Sequence, residues 1–236
     1  MRIHVWLAKH THLSRRKAEQ YVADGRVLIS GQIATTGQPV SVSDVVLLDG
    51  KRIRAISVEP KLIALHKPVG YVCTTEPESY QTSVYDLLPH QTGKWILVGR
   101  LDVNTSGLLL VTTDGALANL LAHPSSNLER EYLVRVSGEL TASMQTSLKE
   151  GVRLEDGNAS VKRIKQHGKP TGRNYWYELV LEEGRNRIVR RLMDYCDVQV
   201  SRLMRVRFGP IKLERQLGVG KHQEIDIQWM RRQLGQ

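Results

Sequence analysis

The sequence is short of cysteine, of long apolar runs and of acidic side chains, and each shortage closes off a class of protein. Two cysteines, Cys73 and Cys196, stand far apart in 236 residues, which leaves neither a disulfide framework nor a Cys-x-x-Cys metal site. No apolar run approaches the ~18 residues of a membrane span. The opening stretch MRIHVWLAKHTHLSRR has too short and too broken an apolar core for a signal peptide. A cytoplasmic protein with no membrane association is expected, and the sequons at Asn104 and Asn158 then read as chance matches. A Walker-type phosphate loop, a dinucleotide glycine fingerprint, an H-E-x-x-H pair and a G-x-S-x-G elbow are all missing. The eight histidines are scattered, none at ligand spacing with another His, Cys or acid. No metal and no cofactor is expected. For two-carboxylate glycosidase chemistry the nearest candidates are Asp102 and Asp114, but Asp114-Gly115 reads as a turn and helix cap.

What is present is base. Lys plus Arg number 34 against 24 Asp plus Glu, a net charge of +10. Such a balance suits a polyanionic partner, because neutralising phosphates releases their counterions. With 41% hydrophobic residues the chain can bury a core, in one large domain or in a small one plus a larger one.

Residues 1–54 read as a small unit. Ile3, Trp6, Leu7 and His10 fall at helical spacing. Ser14 can cap a second helix, RRKAEQYVAD, which Gly25 can end in a left-handed conformation. Short β-prone runs then flank Ser30-Gly31, and others flank Asp49-Gly50, as in hairpins. The unit holds nine Lys/Arg against four Asp/Glu, a net +5, with Arg15, Arg16, Lys17 and Arg26 near the second helix. These are candidate RNA contacts or a solvated helix face; a helix-turn-helix reader is disfavoured by the hairpin that follows directly. Residues 55–60, ending at Pro60, read as a linker, and 61–236 as one larger domain. There, β-prone runs at 62–66, 71–74, 95–98, 108–111, 131–136, 176–181 and 198–207 alternate irregularly with helical patterns at 116–122, 141–150 and 186–195. That order predicts an α+β domain on a mostly antiparallel mixed sheet.

Three features carry candidate chemistry: Asp102 in VGRLDVNTSGLLLVTTDG, Tyr132 in EREYLVRV, and the block from Gly184 to Arg207, with seven Arg, no Lys and two Asp. Arginine without lysine favours bidentate phosphate or carboxylate recognition. A helix over 186–195 puts Ile188, Val189, Leu192 and Met193 on one arc of about 140° and Arg187, Arg190, Arg191 and Asp194 on the other side. Each feature has an ordinary alternative: a loop aspartate bonding its own backbone, a half-buried strand aromatic, an exposed arginine face. Composition and pattern reach a basic, two-domain, nucleic-acid-binding protein and do not reveal a reaction.

In these stretches the chain resembles the ribosomal pseudouridine synthases of the RsuA family. GRLDVNTSGLLLVTTDG is similar to their catalytic motif, HKPVGYVCTTE to the Lys-Pro stretch ahead of it, EREYLV to the tyrosine motif and EGRNRIVRRL to the basic motif. The N-terminal helix–helix–hairpin resembles the S4-type RNA-binding module that precedes the catalytic domain in this family. Among its branches the chain is most similar to the RluB type, which modifies one uridine of large-subunit ribosomal RNA. The resemblance implies an isomerase that detaches uracil from its ribose, turns it and rejoins it through carbon five, with no cofactor. It implies Asp102 as the catalytic carboxylate (nucleophile or base), Tyr132 stacked on the base, and Arg190 as partner of Asp102. It assigns Arg100 to the gap left by the flipped base, and Lys67, Arg185 and Arg187 to RNA contact beside Arg15, Arg16, Lys17 and Arg26. The partner is then ribosomal RNA, and a monomer is expected. The alternatives are a sister synthase acting on small-subunit rRNA or tRNA, and a non-catalytic RNA-binding assembly factor.

Overall fold

Ser14 and Gly25 do set the limits of a helix. In the computed structural model, which describes residues 1–57, 59–91 and 93–235, helices α1 (Ile3–His10) and α2 (Arg15–Ala23) open the chain. The Ser14 hydroxyl accepts from the Lys17 amide at 3.2 Å, and Gly25 at φ +71° turns the backbone out. Strands β1 (Val27–Ile29), β2 (Gln32–Ile33), β3 (Val46–Leu48) and β4 (Lys51–Ile53) follow, in the order β2-β1-β3-β4. Both expected hairpins form through two-residue turns, Ser30-Gly31 and Asp49-Gly50, with positive φ at all four positions, the turn handedness that matches strand twist. Ile3, Leu7, Ala18 and Val22 bury against Val27, Ile29 and Val46. This unit comprises Met1–Glu59 and, in a return of the chain, His90–Lys94. Lys94 Nζ donates to the Leu13 carbonyl at 2.7 Å. The return lies inside the span read from sequence as one continuous domain. Val58, in the expected linker, falls outside the described residues, as do Thr92 and Gln236.

The second unit comprises Pro60–Pro89 and Trp95–Gln236. Its elements are β5 (Leu62–Lys67), β6 (Tyr71–Val72), β7 (Thr82–Ser83), β8 (Ile96–Val98), β9 (Ser106–Thr112), α3 (Gly115–Ala122), β10 (Arg130–Ser137), α4 (Ala142–Glu150), β11 (Val152–Leu154), β12 (Gly157–Ala159), β13 (Arg163–Gln166), β14 (Asn174–Leu181), α5 (Ile188–Tyr195), β15 (Gln199–Phe208), β16 (Ile211–Lys212), β17 (His222–Glu224) and α6 (Ile227–Gln233). One nine-stranded sheet runs β13-β14-β10-β15-β9-β5-β17, with β8 on β9 and β16 on β15. Every pairing in it is antiparallel except β9 with β15, so the expected mostly antiparallel α+β domain is what forms.

Leucines bury β9 on both faces of this sheet. Leu108 and Leu110 pack with Leu62, Ala64, Leu117 and Leu121 on one face; Leu109 and Val111 pack with Ile63, Leu65, Val84 and Leu101 on the other. Each such side chain contributes about 1.5–3 kcal/mol by leaving water, so β9 is pinned from both sides. The β9–β15 contact is brief, Ser106 with Met204 and Gly107 with Arg205. A Cβ at Gly107 would lie 2.2 Å from the Arg205 carbonyl oxygen, and its φ is +105°. Only glycine admits this approach.

Candidate active site

Asp102 sits in the loop from Gly99 to Thr105, between β8 and β9. A turn shapes the loop: the Thr105 amide donates to the Asp102 carbonyl at 3.0 Å, and the Gly70 amide donates to the Val103 carbonyl at 2.8 Å. Beneath it lies Lys67, at the end of β5 and fully buried. Its Nζ donates to the carbonyls of Pro68, Asp102 and Thr105 at 2.9, 3.1 and 2.8 Å. Burial pulls the Lys67 ammonium down to about 8, with Cys73 and Asp102 opposing the shift. Lys67 is therefore a clasp on the Asp102 loop, which corrects its assignment to RNA contact: all three ammonium protons are committed inside the protein.

Arg190 also departs from expectation. Its side chain forms no ion pair with Asp102 among the described residues. Instead Nη2 donates to the Asn104 carbonyl at 2.9 Å and Nη1 to the Val200 carbonyl at 3.2 Å. It ties the Asp102 loop to β15 through backbone, because Asn104, two residues past the acid, brings a carbonyl within its reach. Burial, and then Arg187, lower its pKa, while the charge of Asp102 works the other way. The Asp102 carboxylate itself takes no hydrogen bond or ion pair among the described residues, so its lone pairs are open to a substrate.

A cavity of about 1150 Å³ opens over this loop, roomy by the 300–1,000 Å³ of typical ligand pockets. It gathers Asp102, Tyr132, Arg100, Arg185 and Arg187, and its lining does not include Lys67 or Arg190. Tyr132 is buried at its wall on β10. Arg100 is exposed. Arg187 precedes α5 in a left-handed conformation, φ +50°, uncommon for a long side chain. Helix α5 buries Ile188, Val189, Leu192 and Met193 as expected, leaving its arginines on the polar side. Arg185 is not free: it bonds Glu183 and Asp156, which also holds Arg191.

Two further arginines line the cavity, Arg130 and Arg205, both buried. Arg130 donates through Nη1 to the carbonyls of Leu128 and Glu182, and Arg205 through Nε to that of Leu108 at 2.8 Å. Their sequence signal is alternation: both occupy inward positions of strands whose other buried positions hold apolar or aromatic residues. In the N-terminal unit, Arg15, Arg16 and Lys17 are exposed. Arg26 stacks on Tyr21, 3.8 Å from the ring centroid, and grips Asp49 with two bonds of 2.7 Å.

This is a site with one open carboxylate, one tyrosine and an arginine wall, carried on a sheet with a single parallel seam. Residues 61–195 match the family model for RNA pseudouridylate synthase, and residues 1–46 match the S4 domain. The chain belongs to the RNA pseudouridylate synthase family. It is 48% identical over 217 residues to the ribosomal large subunit pseudouridine synthase B of Pseudomonas aeruginosa, covering 90% of this chain and 56% of that one. It is 46% identical over 228 residues to the protein of that name from Haemophilus influenzae, covering 94% and 64%. The chain thus spans less than two thirds of the length of these relatives. A solved structure described as a pseudouridylate synthase superimposes with a TM-score of 0.68 at 26% identity, covering 99% of both chains. Among the described residues no helix is long and apolar enough to cross a membrane.

Proposed function

We propose that this chain converts a uridine of large-subunit ribosomal RNA to pseudouridine, acting in the cytoplasm as a monomer without a cofactor. The names of its relatives support the RNA. The observation that carries the chemistry is Asp102, an unpartnered carboxylate on a loop clasped by Lys67 and Arg190, facing a cavity that Tyr132 also lines. That carboxylate acts on the ribose as nucleophile or base. The uridine must leave its stack to reach it, at a cost of a few kcal/mol. Tyr132 stacks on the extruded base, and Arg100 takes the base's place in the RNA. The exposed Arg15, Arg16 and Lys17 hold phosphates and supply affinity.

Asp102→Asn removes a charge and almost no volume. Tritium release from large-subunit rRNA labelled at uridine carbon five should fall by at least about a thousandfold, roughly 4 kcal/mol, while RNA affinity stays within about threefold. Turnover within about tenfold of the unsubstituted protein overturns the assignment of Asp102. Absence of tritium release from large-subunit rRNA, with release from small-subunit rRNA or tRNA, moves the substrate; release from none leaves an RNA-binding factor.

A further inference from the structure

We propose that Arg205, backed by Arg130, binds the extruded base and holds the negative charge that the base takes up when its bond to ribose breaks. This rests on the reading of the chain as a uridine isomerase. When C1′–N1 breaks, its electron pair stays on N1 and spreads over the two carbonyl oxygens of uracil. After the base turns, C5 supplies the pair that bonds C1′, its hydrogen leaves as a proton, and N1 gains one. Nothing is oxidised or reduced. Between the two steps the cavity holds an anionic base close to the carboxylate of Asp102, so a cation on the base side is worth most at that moment.

Arg205 is the arginine placed for this. Arg190 donates its terminal nitrogens to backbone and does not line the cavity. Arg185 is matched by Glu183 and Asp156. Arg100 and Arg187 are exposed, where water screens them. Arg205 lines the cavity at 3% exposure. Apart from its Nε bond to Leu108, it makes no hydrogen bond or ion pair among the described residues, and Nη2 is a buried donor with no acceptor. Buried guanidinium groups are ordinarily paired. Here the neighbouring cavity residue is a second one: Arg130 and Arg205 both lie against Phe208, 4.9 and 5.1 Å from its ring centroid, and neither has a carboxylate within ion-pair distance among the described residues.

The register fixes which part of the substrate they meet. Arg205 is the direct partner of Tyr132 across β10 and β15, and Arg130 lies two residues before Tyr132, so all three project from one face of the sheet. If Tyr132 stacks on the base, the guanidinium groups meet the base's edge. Their fork geometry suits carbonyl oxygens that gain charge.

The test uses large-subunit rRNA transcripts made with uridine or with 5-fluorouridine, whose base leaves as a more stable anion. Both are followed by nucleoside chromatography after digestion. Arg205→Gln should slow single-turnover conversion of the uridine transcript about 10²- to 10³-fold. It should slow rearrangement of the 5-fluorouridine transcript at least about tenfold less, with RNA affinity held within about threefold. Arg205→Lys should recover part of the rate. Equal slowing on both transcripts overturns the proposal, as does an unchanged rate. If Arg205→Gln does not fold, Arg205→Lys on the two transcripts gives the same comparison. Failure of the unsubstituted protein to convert any uridine sinks the isomerase reading itself; an active protein indifferent to Arg205 sinks only this inference.

Discussion

Arginines serve two different ends at the start of α2 and in the wall of the cavity. In the N-terminal unit Arg15 and Arg16 stand exposed on the first turn of α2, with no ion pair among the described residues. Around the cavity of the second unit, Arg130, Arg185, Arg190 and Arg205 are each fastened, to backbone carbonyls or to carboxylates. A free arginine makes contacts that a mobile polyanion can satisfy in many ways. A fastened one has already given up its rotamer freedom and can define one geometry. The difference separates affinity from chemistry, and substitutions can test that separation.

The largest effect should come from the seam that brings the Asp102 strand against Arg205. Gly107→Ala forces a Cβ into backbone at a positive φ, so stability should fall by about 3 kcal/mol or more and activity should vanish, as read by denaturant midpoint and tritium release. A near-native midpoint breaks the claim that the cavity side is rigidly set. Next is Lys67→Met, which strands two or three carbonyls and should cost about 2–3 kcal/mol and most of the turnover. Its pH dependence is distinctive. Lys67 titrates at about 8 when folded against 10.5 when free, so between these values the unfolded chain binds the extra proton and stability rises with pH. Across the same window the neutral amine has only two protons for three carbonyls, so activity should decline above about pH 8. Lys67→Met should lose both trends, measured as midpoints and rates at pH 7 and 9.5.

Arg190→Leu is a smaller perturbation. Leaving the Asn104 and Val200 carbonyls without their donor should cost about 1–3 kcal/mol. Because Arg190 holds backbone and not the carboxylate, its stability loss should add to that of Asp102→Asn with less than about 1 kcal/mol of coupling. Strong coupling in a double-mutant cycle would restore the direct pair. The smallest effect on chemistry should be that of Arg15→Gln with Arg16→Gln. The log–log salt slope of RNA binding should fall by about 1.4–1.8, with single-turnover rate at saturating RNA unchanged. A slower saturated rate would join the two classes of arginine again.

Where side chains alternate or caps are explicit, the sequence was readable. Ser14, Gly25 and the Ser30-Gly31 and Asp49-Gly50 turns placed the first unit's elements, and Asp114 caps α3 as expected, accepting from the Ala116 and Leu117 amides. The Asp102 loop was visible from its buried LLLV continuation. Several elements left no such trace. His222–Glu224 forms β17 with every residue exposed, so no apolar period marks it. The hairpin β11–β12 and the strand β13 are short and half polar. The run 71–74 contributes only Tyr71–Val72 as strand, whose partner β7 is itself two residues long. The resemblance places Lys67 in RNA contact and singles out neither Arg130 nor Arg205, because most of the carbonyls that receive these three side chains come from distant segments.

Strand β15 imposes an order of events. It alone joins β13-β14-β10 to β9-β5-β17, and the residues it pairs in parallel, Gly107 with Arg205, are about a hundred positions apart. While the chain is being synthesised, β5, β8 and β9 can pair as soon as they emerge, and so can β10 with β14. The cavity between those halves must wait for residues 199–208. Contacts of such separation form slowly, and the Arg190 clasp on Asn104 is anchored at Val200 of the same strand, so the Asp102 loop and the wall it works against are set together, late.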